Sequence, residues 1–178
     1  TTEAITEITR HPEDFVCLVL TGKNEKLAQS IQEKFAHDPR VKTMGYVRQM
    51  SHVMDLADFA VTKAGGLTIT EALARKLPLV IFRPIPGQEE RNAHYLMEKG
   101  AATLASSPEH LHFKVGELLQ QPEKILRMAR AERELQTPES APLIWRKVLG
   151  LHQVKNHKTT VRIKKAPAPK VNSRSDWI

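Results

Sequence analysis

Cysteine, aromatic residues and long apolar runs are all scarce in this sequence. The single cysteine, Cys17, excludes an internal disulfide. It lies in the apolar run Phe15-Val16-Cys17-Leu18-Val19-Leu20 and reads as an inert core thiol, in keeping with a reducing compartment. Aromatic residues make up 5% of the chain, so its core is expected to be aliphatic. No apolar stretch reaches the roughly 20 residues that a helix needs to span a bilayer. The N-terminus also lacks the charged-then-apolar pattern of a secretory signal. A membrane span is therefore not expected, although work at a membrane surface stays open. The eight histidines are scattered rather than set at metal-ligand spacing, and His52 and His94 read as solvated or satisfied helix residues. No Ser-His-Asp arrangement, internal repeat or obvious general base is visible.

What is present is enough for one domain. The chain has 178 residues, 40% of them hydrophobic, which sets it apart from disordered sequences. Its formal charge of +7 is unevenly placed. Residues 151–178 hold Lys155, Lys158, Arg162, Lys164, Lys165, Lys170 and Arg174 against one acid, Asp176, so nearly all the excess charge belongs to the C-terminal end. This stretch lacks apolar periodicity and contains Pro167 and Pro169. It reads as a flexible basic tail following a domain over 1–150.

Along that domain, short apolar runs alternate with helical periodicity. Phe15–Thr21 has strand length and an unbroken apolar character that suits a parallel strand covered on both faces. Gly22-Lys23-Asn24 breaks it, Asn24 is a candidate N-cap, and Leu27, Ile31 and Phe35 follow at helical spacing. Strands are predicted again at 41–44, 59–62, 79–82 and 102–104. Helices are predicted at about 50–57, 68–76, 89–99, 109–120 and 123–135, with a further helical segment near 141–149. Gly100 is a suitable C′ residue for the helix that starts near Glu89. Such alternation implies right-handed β-α-β crossovers and a Rossmann-like parallel sheet with helices on both faces. The unusual loops, 22–24, 45–50, 63–68 and 83–90, all follow strands. They therefore gather at the C-terminal sheet edge, where such folds bind ligands. The pattern opens on a helix-like fragment, Thr2–Thr9, where a doubly wound domain usually opens on a strand. The chain is thus expected to begin part-way into a domain, its first residues belonging to an upstream element.

The segment Val61-Thr62-Lys63-Ala64-Gly65-Gly66-Leu67-Thr68 carries the clearest chemistry. A strand runs through two glycines into a helix. Glycine lets a ligand approach the backbone, and the helix start offers unpaired N–H groups and a positive dipole end. This combination suits a phosphate, with Lys63 adding a full charge. The Gly-Lys-Ser/Thr ending of a Walker loop is absent. Glu71 has two readings. Thr68-x-x-Glu71 fits a capping box, which spacing alone favours, while a carboxylate near the helix start also suits the cis-diol of a ribose. Gln88, Glu89 and Asn92 follow the Pro86-Gly87 turn. They are either an ordinary polar helix start or donors and acceptors for sugar hydroxyls. Tyr46 and Val47 are either a strand end or the seat of a base.

Together these segments resemble the C-terminal domain of glycosyltransferase family 28. The likeness runs from Gly22-Lys23-Asn24-Glu25-Lys26-Leu27 to Gly100-Ala101-Ala102. It is most specific in Lys63-Ala64-Gly65-Gly66-Leu67-Thr68 and Pro86-Gly87-Gln88-Glu89, which point to the branch holding the monogalactosyldiacylglycerol synthases and the processive diacylglycerol glucosyltransferases. The resemblance implies the C-terminal half of a GT-B fold, binding a UDP-sugar donor, UDP-glucose or UDP-galactose. An N-terminal domain then binds the lipid acceptor and supplies the general base, so no catalytic residue is assigned in this chain. By position, Gly22 and Asn24 join the donor site, Tyr46 and Val47 flank the uracil, Gly65, Gly66, Leu67 and Thr68 hold the diphosphate beside Lys63, Glu71 takes the ribose, and Gln88, Glu89 and Asn92 meet the sugar. No cofactor or metal is implied, because amides and a lysine can meet the leaving-group charge. The chain is expected to reside in the cytoplasm, peripheral to a membrane, and to turn over little substrate on its own.

Two other functions fit the same residues: GlcNAc transfer to a polyprenyl-linked peptidoglycan precursor, and a non-catalytic UDP-sugar-binding subunit. The basic tail invites a nucleic-acid reading, but it has no aromatic platform or fold to support one. Attraction of 152–178 to an anionic membrane surface is the more economical expectation.

Overall fold

A computed structural model describes residues 1–150 of the chain. The basic tail over 151–178 lies outside the described residues. Contacts group the chain into a compact unit, Thr1–Pro138, and a second unit, Glu139–Ile178. Of the second unit, helix Ser140–Val148 is described, and it buries none of its residues.

The first unit opens with α1 (Thr2–Thr9) and then alternates: β1 (Cys17–Leu20), α2 (Glu25–Lys34), β2 (Val41–Met44), α3 (Met50–Leu56), β3 (Ala60–Thr62), α4 (Gly66–Arg75), β4 (Leu79–Phe82), α5 (Gln88–Glu98), β5 (Ala102–Ala105), α6 (Pro108–Gln120) and α7 (Pro122–Leu135). Local signals account for several ends. Asn24 caps α2, its Oδ1 accepting from Leu27 N at 3.0 Å. Ser107 caps α6 by accepting from His110 N at 3.1 Å, with Pro108 in the first turn. Gly100, at φ +72°, ends α5 in the left-handed conformation that a side chain resists.

All strand pairs are parallel, and helices lie on both faces, as expected of a Rossmann-like domain. The strands form two ladders rather than one: β1 with β2, and β3-β4-β5. On β4, alternate residues serve opposite faces. Leu79 and Ile81 pack with Met54, Ala72, Ala93 and Leu96 of α3, α4 and α5. Val80 and Phe82 pack with Leu111, Val115 and Leu118 of α6 and Met128 of α7, joined by Ala4 and Ile8 of α1. Strand β1 departs from the expectation of two covered faces. Val19 is buried against Ile5 and Ile31, but Leu18 and Leu20 are 38% and 36% exposed. Cys17 is only partly buried, and desolvation still pushes its thiol up from the ordinary value.

The turn from α1 to β1 is held by polar contacts. Arg40 donates to the carbonyls of Thr9 (2.8 Å), His11 (2.6 Å) and Glu13 (3.2 Å) and pairs with Asp38 at 2.8 Å. Its guanidinium also stacks 4.7 Å from the Phe15 ring. Hydrogen bonds from the Arg40 side chain hold the Asp38 carboxyl below the usual carboxylate range. His11 and His112 stack with ring centroids 3.9 Å apart and tie α1 to α6. His11 Nε2 donates to the His112 carbonyl, and His112 Nδ1 to the Glu7 carbonyl, each at 2.9 Å. A Cβ at position 116 would lie 2.7 Å from His11 Cε1, so glycine is the residue that lets this ring into the helix surface. Gly116→Ala is expected to destabilise the domain by about 1–2 kcal/mol, as overpacking outweighs the gain in helix propensity. Chemical denaturation of both proteins checks this.

Glu132, on α7, is fully buried, and neither carboxylate oxygen has a hydrogen-bond partner. Desolvation raises its pKa to about 8. The folded value lies above the unfolded one, so this side chain favours folding at low pH. That contribution is lost as pH rises from about 4.5 to about 8. Glu132→Gln is expected to flatten the loss of stability across this window. Melting curves of the two proteins from pH 5 to 9 test it.

Candidate functional site

The strand ends deliver their loops to one edge. After β1, the Gly22 carbonyl lies 3.6 Å from where a Cβ on Gly45 would be, so the loops at 22–24 and 45–47 touch. Lys23 Nζ stands 5.5 Å from the centroid of Tyr46, whose ring is exposed.

The end of β3 is more tightly built. Ala64 is fully buried at φ +68°, a conformation that a side-chain-bearing residue adopts at a cost in strain. Its carbonyl accepts from Asn92 Nδ2 at 3.1 Å, which fastens α5 to this turn. Gly65 then takes an extended conformation as the N-cap of α4 and brings no side chain to the first-turn amides. The first intrahelical bond runs from Ile69 N to the Gly65 carbonyl, so the N–H groups of Gly66, Leu67 and Thr68 precede the ladder. Neither Gly65 nor Gly66 has a positive φ. A Cβ on Gly65 would meet Glu89 Oε1, and one on Gly66 would meet Gln88 Nε2, both at 3.7 Å, ordinary contact. The glycines are therefore not demanded by backbone conformation or by packing. What they keep open is the approach to the helix terminus.

The capping-box expectation at Thr68 fails. The helix begins before Thr68, so Thr68 lies inside its first turn and Glu71 in its second, too far along to reach an N-cap amide. The glycine opening shortens the strand-to-helix turn and moves the start forward. Glu71 is exposed and makes no side-chain hydrogen bond or ion pair among the described residues. It lines a cleft of about 340 Å³ with Arg48, Gln49, Met50, Ser51, Ala74 and Arg75. Arg75 is paired with Asp55 at 3.2 Å on its rim.

The other sequence-derived residues are distributed as follows. Gln88 and Glu89 stand over the two glycines. Glu89 Oε2 also accepts from Ile85 N at 2.7 Å, which fixes its orientation. Glu90 Oε2 accepts from Gly87 N at 3.1 Å and closes the start of α5. Lys63 is exposed, as is Leu67. The fold thus gathers Lys63, Gly65, Gly66, Leu67, Thr68, Gln88, Glu89 and Asn92 around one turn. Tyr46 and Val47 do not line the Glu71 cleft, and Gly22 and Asn24 sit with the 45–47 loop. Sequence reasoning missed Arg48, Gln49, Met50 and Ser51. The signal was there in part, since Met50 opens the α3 periodicity, but an apolar helix start gives no sign that it faces a cleft. Among the described residues, no group of three or more His, Cys, Asp or Glu gathers as a metal site would require.

Comparison with known proteins places the domain. The glycosyltransferase family 28 C-terminal domain matches residues 2–143. The processive diacylglycerol β-glucosyltransferase of Bacillus pumilus is 34% identical over 147 residues, which is 82% of this chain and 38% of that protein. The enzyme of the same name from Bacillus cereus ATCC 10987 is 35% identical over 148 residues, 81% of this chain and 38% of the relative. The chain thus spans about two fifths of the curated relatives it matches. Among solved structures, Acinetobacter baumannii MurG superposes with a TM-score of 0.67 at 19% identity, over 84% of this chain and 44% of that one. WaaG, a glycosyltransferase of lipopolysaccharide biosynthesis, gives 0.65 at 19% identity, over 84% and 42%. These likenesses establish the fold, that of one half of a GT-B enzyme.

Gly65→Ala and Gly66→Ala are each expected to leave stability unchanged or to raise it by up to about 1 kcal/mol. Asn92→Ala is expected to cost about 1–2 kcal/mol by leaving the buried Ala64 turn unheld. Thermal and urea melts of the three variants check both statements.

Proposed function

We propose, since the chain belongs to glycosyltransferase family 28 through its C-terminal domain, that it binds the UDP-sugar donor of an inverting hexosyltransferase whose acceptor is a membrane lipid. The observation that carries this reading is the glycine-opened start of α4, uncapped by any side chain, beside the Glu71-lined cleft. The N–H groups of Gly66, Leu67 and Thr68 and the positive end of the α4 dipole suit a diphosphate, and the exposed Lys63 adds charge. On this reading Glu71, which makes no side-chain hydrogen bond or ion pair among the described residues, takes the adjoining ribose, and the base enters the cleft lined by residues 48–51. The sugar then lies toward Gln88 and Glu89.

The relatives' printed names favour glucose as the sugar and diacylglycerol as the acceptor. A β-glucoside made from α-linked UDP-glucose requires inversion. The acceptor hydroxyl oxygen attacks the anomeric carbon from the face opposite the diphosphate, the C–O bond to UDP breaks, and the hydroxyl proton passes to a base. On this reading the base and the acceptor site belong to a separate N-terminal domain. This chain's part is to orient the donor and to stabilise the charge that develops on UDP. That charge is met by amides and Lys63, so UDP binding is expected to be unchanged by EDTA. Among the described residues no helix is long and apolar enough to cross a membrane. On this reading the protein works at a membrane surface.

Titration calorimetry with UDP, UDP-glucose, UDP-galactose and UDP-GlcNAc tests the reading. UDP is expected to bind, UDP-glucose to bind best among the sugars, and Glu71→Gln to weaken both by tenfold or more, about 1.4 kcal/mol. Gly66→Ala is expected to weaken UDP likewise while leaving the melt intact. No measurable UDP affinity, or full affinity in both variants, would overturn the proposal. The chain alone, mixed with UDP-glucose and diacylglycerol vesicles, is expected to give no transfer. Robust glucolipid formation would overturn the division of labour.

A further inference from the structure

Helix α8 (Ser140–Val148) has no cover. It belongs to the second unit, and every residue from Glu139 to Gly150 is exposed. Its local signals are sound. Pro142 precedes the first ladder bond, which runs from Leu143 N to the Glu139 carbonyl, so its missing N–H costs nothing. Arg146 and Lys147 stand in the last turn, at the negative end of the dipole. Yet the helix is only nine residues long, and so short a helix is marginal in water unless one side is buried.

Ala141, Ile144, Trp145, Val148 and Leu149 follow the i, i+3, i+4, i+7, i+8 spacing and share one side of α8. Ile144, Trp145, Val148 and Leu149 are each 60% exposed or more, which makes a continuous apolar stripe. Arg146 and Lys147 occupy the other side, flanking Leu143. The chain's formal excess of +7 falls entirely in this unit. Residues 139–178 hold nine Lys and Arg against two acids, Glu139 and Asp176, and residues 1–138 balance. An apolar stripe bordered by positive charge is the pattern of a helix that lies in a membrane interface. A protein partner would use the stripe without needing the charge. A nucleic acid would use the charge and leave the stripe in water. An anionic lipid surface takes both, and the indole of Trp145 suits the headgroup level.

We propose that α8 docks in the headgroup layer of an anionic bilayer, with Ile144, Trp145, Val148 and Leu149 turned to the acyl chains. Arg146 and Lys147 reach back to the lipid phosphates, and the basic residues that follow them in sequence add attraction at the same surface. Charge brings the chain to the surface, and burial of the stripe holds it there. The inference rests on the proposed function only in taking a membrane as the place of work. It uses neither the nucleotide nor the start of α4, so vesicle binding and UDP calorimetry fail separately.

The sequence has two tryptophans, so the full chain carrying Trp177→Phe reports on Trp145 alone. It is mixed, without nucleotide, with vesicles of phosphatidylcholine alone or of equal parts phosphatidylcholine and phosphatidylglycerol. Tryptophan emission and co-sedimentation are read. The chain is expected to bind the anionic vesicles more tightly than the neutral ones by about tenfold or more, with a blue shift of Trp145 emission. Ile144→Ser combined with Val148→Ser is expected to remove the shift and weaken binding by about tenfold or more. Neither residue is buried, so the melt of the chain stays unchanged. Four results would overturn the proposal. Equal binding to both vesicles removes the charge. Binding with unshifted emission, or full binding by the double variant, leaves the stripe out of the membrane. Emission already blue without vesicles, and reversed by the double variant, assigns the stripe to protein contact instead.

Discussion

The Ala64 carbonyl joins the two loop systems of the site, and the hydrogen bond it accepts from Asn92 fixes their relation. Ala64 is buried in a left-handed conformation that is strained for a residue with a Cβ. This kink lets β3 turn into α4 through Lys63, Ala64 and Gly65, so that the helix starts at Gly66 with no side-chain cap on its amides among the described residues. The same bond fastens α5 to this turn, where Gln88 and Glu89 approach the glycines. The uncapped start of α4 and the approach of Gln88 and Glu89 to the glycines thus meet at one buried contact.

The electrostatics of the edge are restrained. Glu89 stands beside the amide end of α4, where the helix dipole favours a negative group, and its second oxygen is held by Ile85 N. Lys63, and Arg48 in the Glu71 cleft, form no ion pair among the described residues. Arg83 is bound at 2.7 Å to Glu3, and Arg75 at 3.2 Å to Asp55, so these two arginines serve the scaffold. An anionic ligand here would rely on oriented amides more than on net charge. Such a site binds a phosphate without the strong, unspecific attraction of a basic surface.

Sequence made much of this readable where a single residue carries the whole signal. Asn24 caps because its short side chain reaches the backbone, and Gly100 ends α5 because it alone accepts φ +72° without strain. The alternating strands and helices followed from apolar spacing, and their parallel pairing from crossover geometry. The start of α4 was misjudged because Gly65 caps with nothing, and Thr68 three residues on imitates a cap. The contacts of Arg40, the His11–His112 stack and the burial of Glu132 join residues far apart in sequence, and no local pattern announces them. The cleft residues Arg48 to Ser51 escaped for a related reason. A helix start reads alike whether it faces solvent or a groove.

The topology explains where the groove lies. In a doubly wound sheet, the crossover direction reverses at one place, and the loops on either side of that place diverge to leave a crevice. Here the reversal falls between β1, whose helix α2 lies on the α6 face, and β3, whose helix α4 lies on the other. The turn after β3 carries the uncapped amides, and the loop after β2 lines the Glu71 cleft, so both flank that reversal.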